Sequence, residues 1–105
     1  WALNGSAGRN EQPLFQASRG RTVRLKMVNR TPWPHAMHVH GHHFQVIQRT
    51  DGRKISPHWR DTILIDPDSE LQIAFVADNP GKWMLHCHML EHMAGGMVTW
   101  FEVTE

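Results

Sequence analysis

One cysteine in 105 residues is the first limit this chain sets. It excludes an internal disulfide and says nothing about the redox compartment. No apolar run approaches the roughly eighteen residues of a helical membrane span, so no membrane partner is expected. No basic and apolar leader with a small-residue cleavage site is visible either. The chain opens on Trp1 rather than Met, as expected of a processed product, an excised domain or a fragment. Internal repeats, low-complexity tracts and linkers are all absent. A strong charge of one sign is missing too, since the net charge is only +1. That charge is unevenly spread: residues 1–54 carry nine Lys/Arg and two acids, residues 55–105 two and eight. Nucleic-acid binding wants a basic face with aromatic or groove-reading elements. In a sandwich, strands distant in sequence intermix, so the two halves are expected to pair with each other and no nucleic acid is expected as a partner.

Forty per cent hydrophobic and twenty per cent charged residues suit one modest domain over 1–105. The pattern is all-β. Val23, Leu25 and Met27 alternate with Arg24 and Lys26 over Thr22–Val28, which predicts a strand with one buried face. Phe44–Ile47 and Thr62–Ile65 are short apolar runs between turn residues. Leu71, Ile73 and Phe75 alternate with Gln72 and Ala74. Asp51-Gly52 and Asn79-Pro80-Gly81 are turn signals, the second leading into a strand over Lys82–His88. Val98–Val103 closes the sheet, and only Met89–Met93 reads as a helical turn. Seven or eight short strands at this spacing predict a β-sandwich.

What is present in abundance is histidine, and it is clustered. His86-Cys87-His88 is followed by His92 and Met97, and His35-Ala36-Met37-His38-Val39-His40 lies about fifty residues upstream, behind Thr31-Pro32-Trp33-Pro34. A thiolate, imidazoles and a thioether are the ligands of a blue electron-transfer copper site, which uses two histidines, one cysteine and a weak axial methionine. In extended chain, successive side chains point to opposite faces. Parity then sorts the ligands into two groups. His35, Cys87, His92 and Met97 could form one site; His38, His40, His86 and His88 could form part of another.

The runs HAMHVHGHHF and HCHMLEHMAGGM resemble the two copper motifs of the C-terminal cupredoxin domain of multicopper oxidases, the laccase-like family. The likeness extends from Trp1-Ala2-Leu3-Asn4-Gly5 to Trp100-Phe101-Glu102-Val103. It implies a Greek-key β-sandwich, lacking the first strand that related domains carry ahead of the Trp-x-x-Asn-Gly segment. It also implies that His35, Cys87 and His92 bind a type 1 copper with Met97 axial, one such ion per chain. His38 is then a ligand of the type 2 copper, and His40, His86 and His88 of the type 3 pair. The family's three-copper cluster takes eight histidines, and this chain offers four. The other four are expected from a complementary cupredoxin domain or another subunit, with up to three copper ions shared between them. The implied activity takes single electrons from a small reducing substrate at the type 1 site. They pass through Cys87 to His86 and His88, and four of them reduce dioxygen to water. The implied location is periplasmic or extracellular.

Two alternatives stay open at this point. One is a stand-alone or engineered type 1 electron-transfer protein that reduces no oxygen. The other is a divalent-metal protein of cupin-like fold using His38, His40 and an acid, which leaves the Cys87–His92–Met97 spacing unexplained. Individual residues also have plainer readings. Cys87 could be a buried thiol, and Met97 core packing. Met84, Met89 and Met93 read as packing around the sulfur. His42 reads as a surface residue or one lying just behind the ligands. His43 and Phe44 read as part of the strand following the motif, His58 and Trp59 as a surface loop or one lining the copper site, and Asp61 as a local hydrogen-bond or ion-pair group. Many relatives carry an acid directly after the second type 1 histidine, where this chain has Met93. Proton delivery is then expected from Glu91, another domain or water.

Overall fold

The computed structural model describes residues 12–87 and 98–105. They form eight strands and no helix: β1 (Gln16–Ser18), β2 (Thr22–Asn29), β3 (His35–Val39), β4 (Gln45–Arg49), β5 (Thr62–Ile65), β6 (Ser69–Val76), β7 (Gly81–Cys87) and β8 (Val98–Thr104). A five-stranded sheet runs in the order β1-β8-β7-β3-β5, and a three-stranded sheet in the order β2-β6-β4. Every connection from β2 through β7 crosses between the sheets, so sequence neighbours seldom pair. All pairings are antiparallel except β1 with β8.

The alternation read from the sequence decides which face each strand buries. Val23, Leu25 and Met27 of β2 register with Phe75, Ile73 and Leu71 of β6, and both sets face the other sheet. Met37 and Val39 of β3, Ile63 and Ile65 of β5, Leu85 and Cys87 of β7, and Phe101 and Val103 of β8 answer them. Phe44, Phe75 and Phe101 fill the centre, each essentially inaccessible. Burying one such side chain contributes about 1.5–3 kcal/mol, and Phe15 stacks on Phe101 at a 5.0 Å centroid distance.

The expected strands over Thr22–Val28, Thr62–Ile65 and Val98–Val103 are present within a residue or so at their ends. His43 and Phe44 precede β4 rather than opening it, and Phe44 makes a single bridge to Arg60. β1 had no sequence signal: its three residues are held by parallel pairing to β8. Charge pairing between the halves is seen where Lys26 and Arg30 meet Glu70 and Arg53 meets Asp66. The proposed helical turn over Met89–Met93 and the segment around the expected missing strand lie outside the described residues.

Candidate metal centre

β3 and β7 lie side by side in the middle of the five-stranded sheet, with Met37 opposite Cys87, His38 opposite His86 and Val39 opposite Leu85. This register puts the two histidine clusters next to each other. Strand alternation then divides them. His35 and Cys87 point into the sandwich and are buried; His38 and His86 point away from it, with His40 beyond the end of β3 beside them.

On the inner face, His35 Nδ1 stands 3.8 Å from Cys87 Sγ. A metal ion about 2.0 Å from a histidine nitrogen and about 2.3 Å from a cysteine sulfur leaves that gap at an angle of about 120°. The pair therefore fits two ligands of a trigonal site. The other nitrogen, Nε2, lies 2.9 Å from Thr31 Oγ1.

On the outer face, His38, His40 and His86 bring one nitrogen each within 4.8 Å of one another. His86 Nδ1–H donates to the carbonyl of Cys87 at 2.9 Å. That leaves Nε2 of His86 as an acceptor, 2.9 Å from Nε2 of His40. Two nitrogens each about 2.0 Å from one metal ion subtend this spacing at about 90°, so a metal can replace the proton between them. His38 Nδ1–H is shared between the Asp61 carbonyl at 3.0 Å and Thr62 Oγ1 at 2.9 Å, and the Thr62 hydroxyl donates to Asp61 Oδ1 at 3.0 Å. This fixes Nε2 of His38 as its ligating atom. Asp61, expected as a local hydrogen-bond group, thus acts on a histidine 23 residues away in sequence.

His88, Glu91, His92 and Met97 lie outside the described residues. Met84 registers with Trp100 and shares the outer parity of His86, so it faces away from the Cys87 sulfur rather than packing around it. His42 departs from the surface reading. Gly41 adopts φ 75° and breaks the 38/40/42 alternation, turning His42 into the core against Phe75, Trp83 and Phe101. A side chain at position 41 would also strike the Trp83 ring, with a Cβ 2.5 Å from its Cδ2. His42 Nδ1–H reaches back to the His40 carbonyl at 3.3 Å, so the turn braces the end of the ligand strand. His58 and Trp59 are exposed, as a surface loop should be.

The multicopper oxidase family profile matches residues 1–105. The chain belongs to the multicopper oxidase family. It is 39% identical over 100 residues to the multicopper oxidase MmcO of Mycobacterium tuberculosis, a match covering 94% of this chain and 19% of that protein. Against Laccase-1 of Fomitopsis schrenkii it is 36% identical over 91 residues, 82% of this chain and 17% of the laccase. The crystal structure of McoA, a multicopper oxidase of the hyperthermophile Aquifex aeolicus, superimposes with a TM-score of 0.84 at 34% identity, covering 91% of this chain and 22% of McoA. The chain therefore spans about a fifth of the length of the relatives it matches. The fold is that of a cupredoxin domain of this family, and membership implies copper. The donor chemistry agrees: a thiolate with imidazole on one face and three imidazoles on the other suit copper better than hard, oxygen-seeking ions.

Proposed function

We propose that this chain is the domain through which electrons enter a laccase-like multicopper oxidase and leave toward its oxygen-reducing centre. Cys87, His35, His92 and Met97 hold the type 1 copper. His38, His40, His86 and His88 hold half of a three-copper cluster. Copper, when bound, supplies the one-electron chemistry that oxidises a small reducing substrate and, after four electrons, turns dioxygen into water.

The chain's own residues supply the wiring. Cys87 presents its sulfur inward while its peptide neighbour His86 presents an imidazole outward, so a single strand of bonded atoms joins the two sites. The hydrogen bond from His86 Nδ1–H to the Cys87 carbonyl adds a second, shorter bridge between the same residues. Burial of Cys87 and His35 keeps water from the thiolate, and the low-dielectric surroundings limit the rearrangement that accompanies electron transfer.

The outer half-site needs four more histidines from a complementary cupredoxin domain or another subunit. The face around it suits such a partner: Ala36 and Leu64 register beside His38, and Val98 registers with His86, so half-buried or exposed apolar groups border the imidazoles. Proton delivery to oxygen falls to Glu91, the partner or water. The periplasm or the extracellular space is the location that fits this family reading. The observation that carries the proposal is the back-to-back placement of Cys87 with His35 and His86 with His38 and His40.

Loading the full protein with copper and recording its visible absorption, with copper counted per chain, tests this reading. An intense thiolate-to-copper band that grows to one equivalent per chain supports it, as does oxygen uptake when the complementary histidines are present. A protein that takes up copper without that band would show that Cys87 is not a ligand and would overturn it.

A further inference from the structure

The proposed type 1 site depends on which nitrogen of His35 is left bare to face the sulfur, and the residues behind the ring decide that. Asn29, buried at the end of β2, points its amide nitrogen at three backbone carbonyls: Trp33 at 2.8 Å, Asp66 at 3.1 Å and Ile65 at 3.2 Å. Carbonyls only accept, so the orientation of this amide is set, and Oδ1 must face the other way. There it accepts from the Thr31 backbone N–H at 3.0 Å and lies 2.7 Å from Thr31 Oγ1. Two oxygens that close need a hydrogen between them, and Asn29 Oδ1 has none to give. The Trp33 carbonyl, 3.0 Å from the same hydroxyl, also only accepts, so the Thr31 hydrogen is committed to Asn29 Oδ1 at the shorter distance or shared with Trp33, and in neither case turns to His35. What remains on Thr31 Oγ1 is lone pairs, and His35 Nε2 at 2.9 Å can only donate to them. His35 is left with a bare Nδ1 aimed at Cys87 Sγ.

We infer that Thr31, oriented by Asn29, is a positioning residue that fixes the metal-ready tautomer and ring angle of His35. The inference rests on the type 1 reading of Cys87 and His35. Histidine ligands commonly donate their second N–H to a fixed acceptor, and loss of that acceptor weakens metal binding about 10–100-fold. The arrangement here spans both sheets. Asn29 ends a strand of the three-stranded sheet, its carbonyl partners Ile65 and Asp66 lie at the end of β5 in the other, and His35 pairs with Ile65 across β3 and β5. The rigid Thr31-Pro32-Trp33-Pro34 link is thereby clamped at its start by Asn29 and at Trp33 by the same amide.

The test uses the full protein in two states. In the metal-free form, imidazole nitrogen chemical shifts are expected to show His35 protonated on Nε2. Thr31→Val keeps the shape and removes the hydroxyl; it is expected to mix the His35 tautomers and to weaken copper binding at the blue site about 10–100-fold, read by titration of the thiolate band. Thr31→Ser restores the hydroxyl and is expected to restore both. A parent protein whose His35 carries its proton on Nδ1 overturns the inference, and that measurement decides it even where the valine variant does not fold. A blue parent whose valine variant keeps both tautomer and affinity overturns the inference alone. A parent without any thiolate band overturns the type 1 reading and this inference with it.

Discussion

The two faces of one sheet treat the same residue type in opposite ways. Inside the sandwich, His35 is buried beside Cys87, surrounded by the apolar groups of both sheets, and its outward nitrogen is tied to Thr31. Outside, His38 and His40 are part-exposed, and the acceptors behind the triad are the main-chain carbonyls of Asp61 and Cys87 and the Thr62 hydroxyl oxygen. The tautomers differ accordingly: Nε2 carries the proton on His35, and Nδ1 carries it on His38 of the same strand and on His86 of the adjoining one. Burial keeps water from the Cys87 sulfur and holds the His35 ring in place. On the reading proposed above, the part-exposed His38 and His40, with the buried His86, are the nitrogens that a complementary domain would complete. Among the described residues the sheet thus presents a buried Cys–His pair on one side and a part-exposed histidine triad on the other.

Changing Cys87 gives the sharpest separation of the two. Cys87→Ser is expected to abolish the thiolate-to-copper band while the outer histidines still bind metal, as absorption and metal analysis of the same sample would report. The reverse experiment is His38→Ala in the full protein, where oxygen uptake should be lost with the blue band retained. Loss of the band in that variant would mean that the faces are not independent. Gly41→Ala strikes the brace between them. Its positive φ and the close Trp83 ring predict a destabilisation of about 2–4 kcal/mol in denaturant unfolding, with a loosened outer triad.

The smallest effect is expected remote from both faces. Asp51 receives the Arg49 guanidinium through two bonds of 2.8 and 2.7 Å. The Arg49 hydrogen bonds hold its carboxyl below the usual range, aided by the Arg53 N–H and the charges of both arginines against an opposing desolvation. A lowered folded value means that the unfolded chain takes up the proton first. The stabilisation is thus complete above about pH 4 and is lost as pH falls through the lower folded value. Asp51→Asn should cost about 1 kcal/mol at neutral pH. That deficit should vanish in acid, with the blue band unchanged throughout.

Parity made much of this legible in the sequence. The alternation of Val23, Leu25 and Met27, and of Leu71, Ile73 and Phe75, gave the inner faces, and the same rule separated His35 and Cys87 from His38, His40 and His86. The rule failed at His42, because a glycine with positive φ resets the alternation and the sequence gives no angle for it. It was silent on Asn29, Thr31, Asp61 and Thr62. Asp61 and Thr62 meet His38, and Asn29 meets Ile65 and Asp66, only through long-range connections, while Thr31 meets Asn29 and His35 through the shape of a local turn that alternation does not describe. The three residues of β1 were equally invisible, since parallel pairing to β8 and not their own composition makes them a strand.

A strand that serves two faces counts its residues in twos. If Met84 were deleted, keeping Trp83 packed would swing Leu85 and Cys87 to the outer face and drive His86 into the core. Deleting two would leave every side chain on its own side. The spacing from Trp83 to Cys87 is therefore free to drift in evolution only by even steps, and a single-codon deletion there would part Cys87 from His35 and His86 from His38 and His40 at once.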